Sequence, residues 1–376
     1  MFESTKALPH LLPPQAYYDG DSFRRESEIL GRAWHVVATR DDLARDGDFI
    51  TLELLGRPVQ VRNFGGEIHA LSNVCAHRHC LIRSETRGNS PKMSCQYHGW
   101  EYQACGRTGK IPQPKNFAPF DRDALRLPQF AIESVGNLVL INVADKPVPF
   151  CKTVGEENYH RMQERFGDGW EASLKWQPEF ECNWKVVIEN SLESYHVPNI
   201  HGTTFREDPG ADRTEHFLSS TSTSMRTTLP FAPHSRIDRW FQNAESGFVR
   251  WIGEEVTGNY EQHHVFPNLL FSFTDAISLV CCVVPRAPGK CQAFLFQFGR
   301  QPANATRRVK KFASRRWGAL KAGITKRILE EDRSVFAAIQ RGLELSTQEG
   351  TLGACEERIH RFQAYLMAEQ GKKEND

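Results

Sequence analysis

The sequence predicts an α+β protein in two parts: a β-rich stretch over residues 34–145 and a mixed helix-and-strand remainder over 146–376, preceded by a short segment at 1–33. Three observations predict it. Short β-runs with turn punctuation fill the chain from Trp34 to about Val143, a Pro-containing junction follows at Asp145-Lys146-Pro147-Val148-Pro149, and beyond it helical periodicities mix with long strand runs. At roughly 150 residues per domain, 376 residues suggest two to three domains, with a core that needs no disulfide staples.

Element by element, the entry segment ends in a helical stretch from Ser22 to Gly31. Phe49 to Leu54 is a β-run closed by a turn at Gly56-Arg57-Pro58; Val59 to Arg62 alternates with period two, and Gly65-Gly66 turns the chain into Ile68 to Leu71. Asn137 to Val143 is the last run of the β-rich part. In the second part Asn183 to His196 is helical by period, with an apolar stripe of Trp184, Ile188, Leu192 and Tyr195 and a polar one of Glu189, Glu193 and His196. Pro198 disfavours helix for Val197, so this helix is expected to end near His196. Strands follow at Leu269 to Phe273 and Ile277 to Val284, then a late helix through Lys326 to Gln340 and a charged fray from Lys372 to Asp376.

Composition excludes several classes. With 40% hydrophobic and 25% charged residues the chain is not disordered, and a net charge of +1 offers no basic field for nucleic acid or a membrane surface. Ile277 to Val284 is the longest apolar run and falls far short of the ~18 residues a spanning helix needs. Pro9, His10, Pro13 and Pro14 interrupt any signal-peptide core, so a cytoplasmic location is expected. Ten cysteines are too few for a disulfide scaffold, and clustered Cys and His in a reducing compartment point to metal.

The clustering is at Cys75-Ala76-His77-Arg78 and Cys95-Gln96-Tyr97-His98-Gly99-Trp100, two loops that each end a β-run. Two thiolates and two imidazoles suit tetrahedral zinc as well as iron. Structural zinc sites usually pair like with like, however, whereas each loop here offers one Cys and one His. That alternation suits a binuclear centre in which two Cys hold one iron and two His the other. The residues resemble the Rieske [2Fe–2S] domain, and the resemblance implies Cys75, His77, Cys95 and His98 as cluster ligands. His79-Cys80 departs from it, many members having a small residue such as Gly after the Arg; both are read as structural, and Cys105 as a small buried hydrophobe.

A second constellation lies beyond the junction. His196 and His201 are five apart, about 140° on a straight helix. A turn through Pro198-Asn199-Ile200 folds His201 back beside His196, giving two-thirds of a facial metal site that calls for a carboxylate. In the late helix Asp332 falls inside an apolar stripe of Ile328, Val335, Phe336, Ile339 and Leu343, while Glu330 aligns with Lys326 and Arg341, and Glu331 with Arg327. A carboxylate on a buried face is costly unless paired or metal-bound, so Asp332 is the best candidate, with a buried salt bridge as the alternative.

From Asn183 to His201, with Glu331-Asp332 and Gln340 later, the chain resembles the catalytic domain of Rieske non-haem iron oxygenases, the aromatic-ring-hydroxylating alpha-subunit family; the two motifs together span nearly the whole chain. The resemblance implies an antiparallel sheet flanked by helices, His196, His201 and Asp332 as ligands of a mononuclear Fe(II), and Glu193 as the carboxylate bridging the two centres, reaching His98 of the partner subunit in a homotrimer. It implies a terminal oxygenase that uses O2 to hydroxylate or oxidatively demethylate a small organic substrate. Electrons from NAD(P)H would arrive through a separate reductase, with or without a ferredoxin, since no Gly-rich nucleotide fingerprint is present. The alternatives are a ring cis-dihydroxylating dioxygenase, a Rieske electron carrier without oxygenase activity, and a zinc-stabilised binding protein. Of the remaining histidines, at most one of His263 and His264 should face a pocket, and His216 and His234 are expected in solvent-facing loops. The basic residues Arg307 to Lys311, Arg315 and Arg316 read as a solvated helix face, with a docking patch for an acidic electron donor as a weaker reading.

Overall fold

The structure is a computed structural model that describes residues 2–202, 204, 209–228, 236–302 and 308–371; His234 and Arg307 lie outside them. The chain divides into two compact units, Gly31–Tyr159 and Met1–Leu30 with His160–Asp376.

The first unit is a seven-stranded antiparallel sheet. Its strands are β1 (His35–Thr39), β2 (Asp48–Leu54), β3 (Arg57–Phe64), β4 (Glu67–Ser72), β5 (Arg87–Asn89), β6 (Gln129–Val135) and β7 (Leu138–Asn142), in the order β1-β7-β6-β4-β3-β2-β5. The β2–β3 hairpin turns on Leu55 and Gly56, both at positive φ, so Arg57 and Pro58 already belong to β3 rather than to the turn expected there. Gly65 and Gly66, also at positive φ, close the next hairpin as the sequence suggests. Between β5 and β6 a small ladder, Met93–Ser94 against Glu101–Tyr102, carries the second Cys/His loop. Beyond the Pro-rich junction the chain stays with this unit: Phe150 donates its N–H to Glu133, and Trp34 donates its indole N–H to the Val148 carbonyl (2.7 Å).

The second unit is built on an antiparallel sheet of β8 (Trp170–Trp176), β9 (Thr214–Leu218), β10 (Ser222–Thr228), β11 (Asn259–Val265), β12 (Leu269–Phe273), β13 (Ile277–Ala287) and β14 (Lys290–Arg300), in the order β8-β14-β13-β12-β11-β10-β9, with Glu179–Phe180 added beside β14. Helices α1 (Gly20–Gly31), α2 (Trp184–Ser191), α3 (Val197–Ile200), α4 (Arg308–Leu345) and α5 (Glu357–Gly371) flank it. The late helix, expected over 326–340, is the 38-residue α4. Its backbone reaches the sheet where Gly318 meets Gly299; a Cβ on Gly318 would stand 3.0 Å from that of Ser173.

The structure overturns the expectations for His216 and Cys105. His216 is not in a solvent-facing loop but buried in β9, where Glu357 takes its Nδ1 (2.8 Å); burial holds its pKa down to about 4. His263 and His264 alternate between the two faces of β11 as expected, and both are buried, because β11 is an interior strand covered on both faces, by Arg161 and Phe273 on one side and Phe362 on the other. Cys105 is exposed in the tight turn from Gln103 to Arg107 rather than buried.

Candidate metal centres

In the first unit the two Cys/His loops are built alike. His79 N–H donates to Cys75 O (3.0 Å) and Gly99 N–H to Cys95 O (2.9 Å), so each loop folds into one tight turn that ends on a left-handed residue, His79 at φ 57° and Gly99 at φ 72°. Each turn places its cysteine inward and its histidine toward the surface: Cys75 and Cys95 are buried, His77 and His98 half-buried. The thiols lie side by side; burial raises the Cys75 pKa, as does the neighbouring Cys95, against the hydroxyl of Tyr102 that stands 3.0 Å from its Sγ. The imidazoles of His77 and His98 are edge-to-face at 4.7 Å between centroids. Trp100 stacks on His77, and Phe117 meets the edges of both rings.

This donor set fits a [2Fe–2S] cluster. The thiols and the imidazoles segregate in pairs, as two irons with unlike ligands require. His77 Nδ1 is buried with no hydrogen-bond partner, and burial, with His98 and Arg78 nearby, holds its pKa down, which favours the neutral ring that metal binding requires.

In the second unit α2 stops at Ser191, short of the expected His196. Glu193 then accepts the backbone N–H of His196 (3.1 Å) and the chain re-enters helix as α3, with Pro198 in its first turn, where a missing N–H costs nothing. His196 and His201 therefore flank a single helical turn rather than an irregular exit turn. Their Nε2 atoms are 3.3 Å apart, and Asp332 Oδ1 on α4 lies 3.0 Å from that of His201 and 3.4 Å from that of His196. Donors held about 2.1 Å from one ion, at angles between octahedral and tetrahedral, stand about 3.0–3.4 Å apart, which these edges match. Asp332 Oδ1 is buried and aligned as a hydrogen-bond acceptor to neither ring, as an atom turned toward a shared cation would be. Among the described residues this is the one group of three such side chains with metal-binding spacing.

The surrounding carboxylates orient the rings. Glu193 contacts His196 Nδ1, and Glu331 takes His201 Nδ1 (2.9 Å) while Thr204 donates to Glu331 (2.8 Å). Both outer nitrogens are thus engaged, leaving both Nε2 atoms facing Asp332. Burial works against charging His196, but Asp332 and Glu193 outweigh it and push its pKa up to about 9; burial likewise works against Asp332, yet the two histidines and Asn190 hold it low. These negative groups favour the protonated imidazoles, and a bound cation would take the protons' place.

The sequence reading missed Glu331, aligned with Arg327 on a solvent face. Arg327 does bond it (3.2 Å), but the longer side chain also reaches round the helix to His201. Tyr102 was missed as well; it lies in the second loop's small ladder, the one available signal.

Two family models match the chain: Rieske [2Fe-2S] domain over residues 33–131 and Ring hydroxylating alpha subunit (catalytic domain) over 167–369. The glycine betaine monooxygenase oxygenase subunit of Chromohalobacter salexigens is 30% identical over 197 residues, 51% of this chain and 43% of that one. The carnitine monooxygenase oxygenase subunit of Escherichia coli K12 is 27% identical over 216 residues, 55% and 56% of the two chains. The matched stretch spans about half the length of these curated relatives. A solved quaternary ammonium Rieske monooxygenase superposes with a TM-score of 0.76 at 17% identity, over 97% of this chain and 95% of that one; naphthalene 1,2-dioxygenase from Rhodococcus sp. gives 0.70 at 17% over 96% and 94%. With the catalytic-domain model covering more than half of its residues and the Rieske model most of the rest, the chain belongs to the ring-hydroxylating alpha-subunit family of Rieske non-haem iron oxygenases.

Proposed function

We propose that this chain is the terminal oxygenase of a multicomponent Rieske system, which uses O2 and electrons from a separate NAD(P)H reductase, with or without a ferredoxin, to hydroxylate or oxidatively demethylate a small organic substrate. The observation that carries it is the triangle of His196, His201 and Asp332, which a plain electron carrier has no use for. Cys75, His77, Cys95 and His98 would hold the [2Fe–2S] cluster, and the triangle the mononuclear Fe(II). When bound, the cluster would supply one-electron storage and the iron would supply the chemistry that activates dioxygen. The chain's own residues do the positioning: Glu193 and Glu331 fix the two rings through Nδ1, and Asp332 supplies negative charge in a buried site.

The relatives named for glycine betaine, carnitine and choline support monooxygenation of a small, charged substrate. Ten free cysteines fit a reducing, cytoplasmic setting, and no helix among the described residues is long and apolar enough to cross a membrane. Family membership favours a homotrimer in which Glu193 also bridges to the cluster of a partner subunit.

The test is metal content and single turnover of the full chain. After anaerobic loading, about three irons and two acid-labile sulfides per chain are expected. Chemical reduction followed by O2, with glycine betaine, carnitine, choline or benzoate present, should give oxygenated product with at least one of them. A chain that holds only two irons, or that purifies colourless with zinc, is not an oxygenase.

A further inference from the structure

One buried cation in the second unit lacks a counter-charge. Phe362 of α5 touches both His264 of β11 (5.1 Å between centroids) and Trp184 of α2 (5.7 Å), so it lies between the sheet and the helix that leads to His196. Arg358 precedes Phe362 by one helical turn and Gln262 precedes His264 by two strand residues, which puts both in that same layer. The Arg358 guanidinium is fully buried. Its Nη1 donates to Gln262 Oε1 (2.8 Å) and its Nε to Thr223 Oγ1 (3.3 Å), while Nη2 is buried with no acceptor.

No carboxylate of the described residues pairs with it. The adjacent Glu357 is turned to other donors: it accepts the N–H groups of Glu3 (3.0 Å) and Ser4 (2.6 Å) and the Nδ1 of His216 (2.8 Å). The phenol of Tyr260, close enough to favour the charge, is kept neutral by burial. Lys185, equally buried, shows the ordinary solution, with Glu26 at 2.6 Å. Burial lowers the Arg358 pKa to about 10, so it remains a cation at neutral pH. A buried charge without its partner is strongly destabilising, and a guanidinium presents a planar fork matched to a carboxylate.

We propose that Arg358, held by Gln262 and Thr223, receives a carboxylate group through its free Nη2, and that this carboxylate belongs to the substrate, so that the chain acts on carboxylated rather than neutral or purely cationic molecules. This rests on the oxygenase reading only in taking the carboxylate to be the substrate's.

The test compares ligand pairs that differ at the carboxylate: glycine betaine against choline, and benzoate against benzyl alcohol. Thermal unfolding and calorimetric binding are read on the full-length, iron-loaded chain without O2, with chloride at matched ionic strength. At least one carboxylate should raise the unfolding midpoint above the chloride control while its alcohol partner does not. Arg358→Met should lose that affinity tenfold or more, yet leave the ligand-free midpoint unchanged or higher because an unpaired buried charge is gone; Arg358→Lys should retain part of the affinity. The proposal is overturned if no carboxylate exceeds chloride, if the alcohols shift the midpoint equally, or if the ligand-free midpoint falls in Arg358→Met. Should Arg358→Met fail to fold, the wild type and Arg358→Lys decide between these outcomes. Failure of the oxygenase reading would appear instead as a missing third iron with the carboxylate shift intact.

Discussion

His79 occupies a position where its counterpart loop has Gly99, and both residues stand in the left-handed region. That conformation costs a residue with a Cβ about 1–2 kcal/mol, against which glycine's greater freedom in the unfolded chain returns about 0.5–1. His79 is exposed and tolerates the geometry, as histidine more often does. His79→Gly should therefore raise stability by roughly 0.5–1 kcal/mol, read as a higher denaturant midpoint at unchanged slope. Gly99→Ala should do the reverse, because the space around it is open, with Pro112 Cγ 3.6 Å from an added Cβ, and only the φ angle objects. A loss of stability in His79→Gly would mean that the imidazole makes a contact worth more than the backbone strain. In the other centre, removing the carboxylate behind a metal-bound histidine typically costs 10–100-fold in metal affinity. Glu331→Ala should show a loss of about that size in competition for Fe(II) against a chelator. Unchanged affinity would make Glu331 a surface partner of Arg327 alone. Asp332 was legible because a carboxylate among apolar neighbours is anomalous. Glu331 was not, because helical periodicity locates a Cβ and says nothing of how far a flexible side chain reaches.

At the scale of elements, the hydrophobic periods found the helices but not their ends. Trp184, Ile188 and Leu192 are buried as the stripe requires, whereas Tyr195 is 67% exposed, because the helix has already ended and Glu193 caps a new turn. The stripe of α4 is similarly offset: Phe336 and Asp332 are buried, Ile339 is exposed, and the buried line continues through Gln340, which accepts the N–H of Asn183 at the start of α2. Sequence periodicity could not anticipate that a polar side chain would hold this contact. Nor could it see that α1 is tied to α2 by a buried ion pair. Lys185 Nζ lies 2.6 Å from Glu26 Oε1 and 2.9 Å from the Ala16 carbonyl, while Trp184 donates to the other Glu26 oxygen (2.8 Å). Glu26→Gln keeps the shape and strands the ammonium, which should cost about 3–5 kcal/mol in equilibrium unfolding. Glu26→Gln combined with Lys185→Met should recover much of that loss, since no unpaired charge is left behind. If the double variant is as unstable as the single one, packing around Lys185 rather than its charge holds α1 in place.

At the scale of the molecule, each unit carries its own set of candidate metal donors. Cys75, His77, Cys95 and His98 all belong to Gly31–Tyr159, and His196, His201 and Asp332 all belong to the other unit. This separation was visible in the sequence as two motifs on either side of a proline-rich junction. The allocation of the first thirty residues to the second unit was visible only in contacts such as Glu26 with Lys185. A centre whose ligands come from one unit should assemble independently of the other. Cys95→Ala should therefore abolish the visible spectrum and the acid-labile sulfide while the chain still binds one Fe(II). Asp332→Ala should keep the cluster spectrum and lose the single iron, because two neutral imidazoles without a carboxylate leave the cation's charge uncompensated in a buried site. Glu193 lies behind His196 in the second unit, and Glu193→Ala should leave the cluster spectrum intact while slowing cluster oxidation in a single turnover. Metal and sulfide counts, with stopped-flow spectra on the three variants beside the wild type, separate these outcomes. Loss of both metals from either ligand variant would show that the units fold as one cooperative body, and normal single-turnover product in Glu193→Ala would reduce that residue to a ring-orienting hydrogen bond.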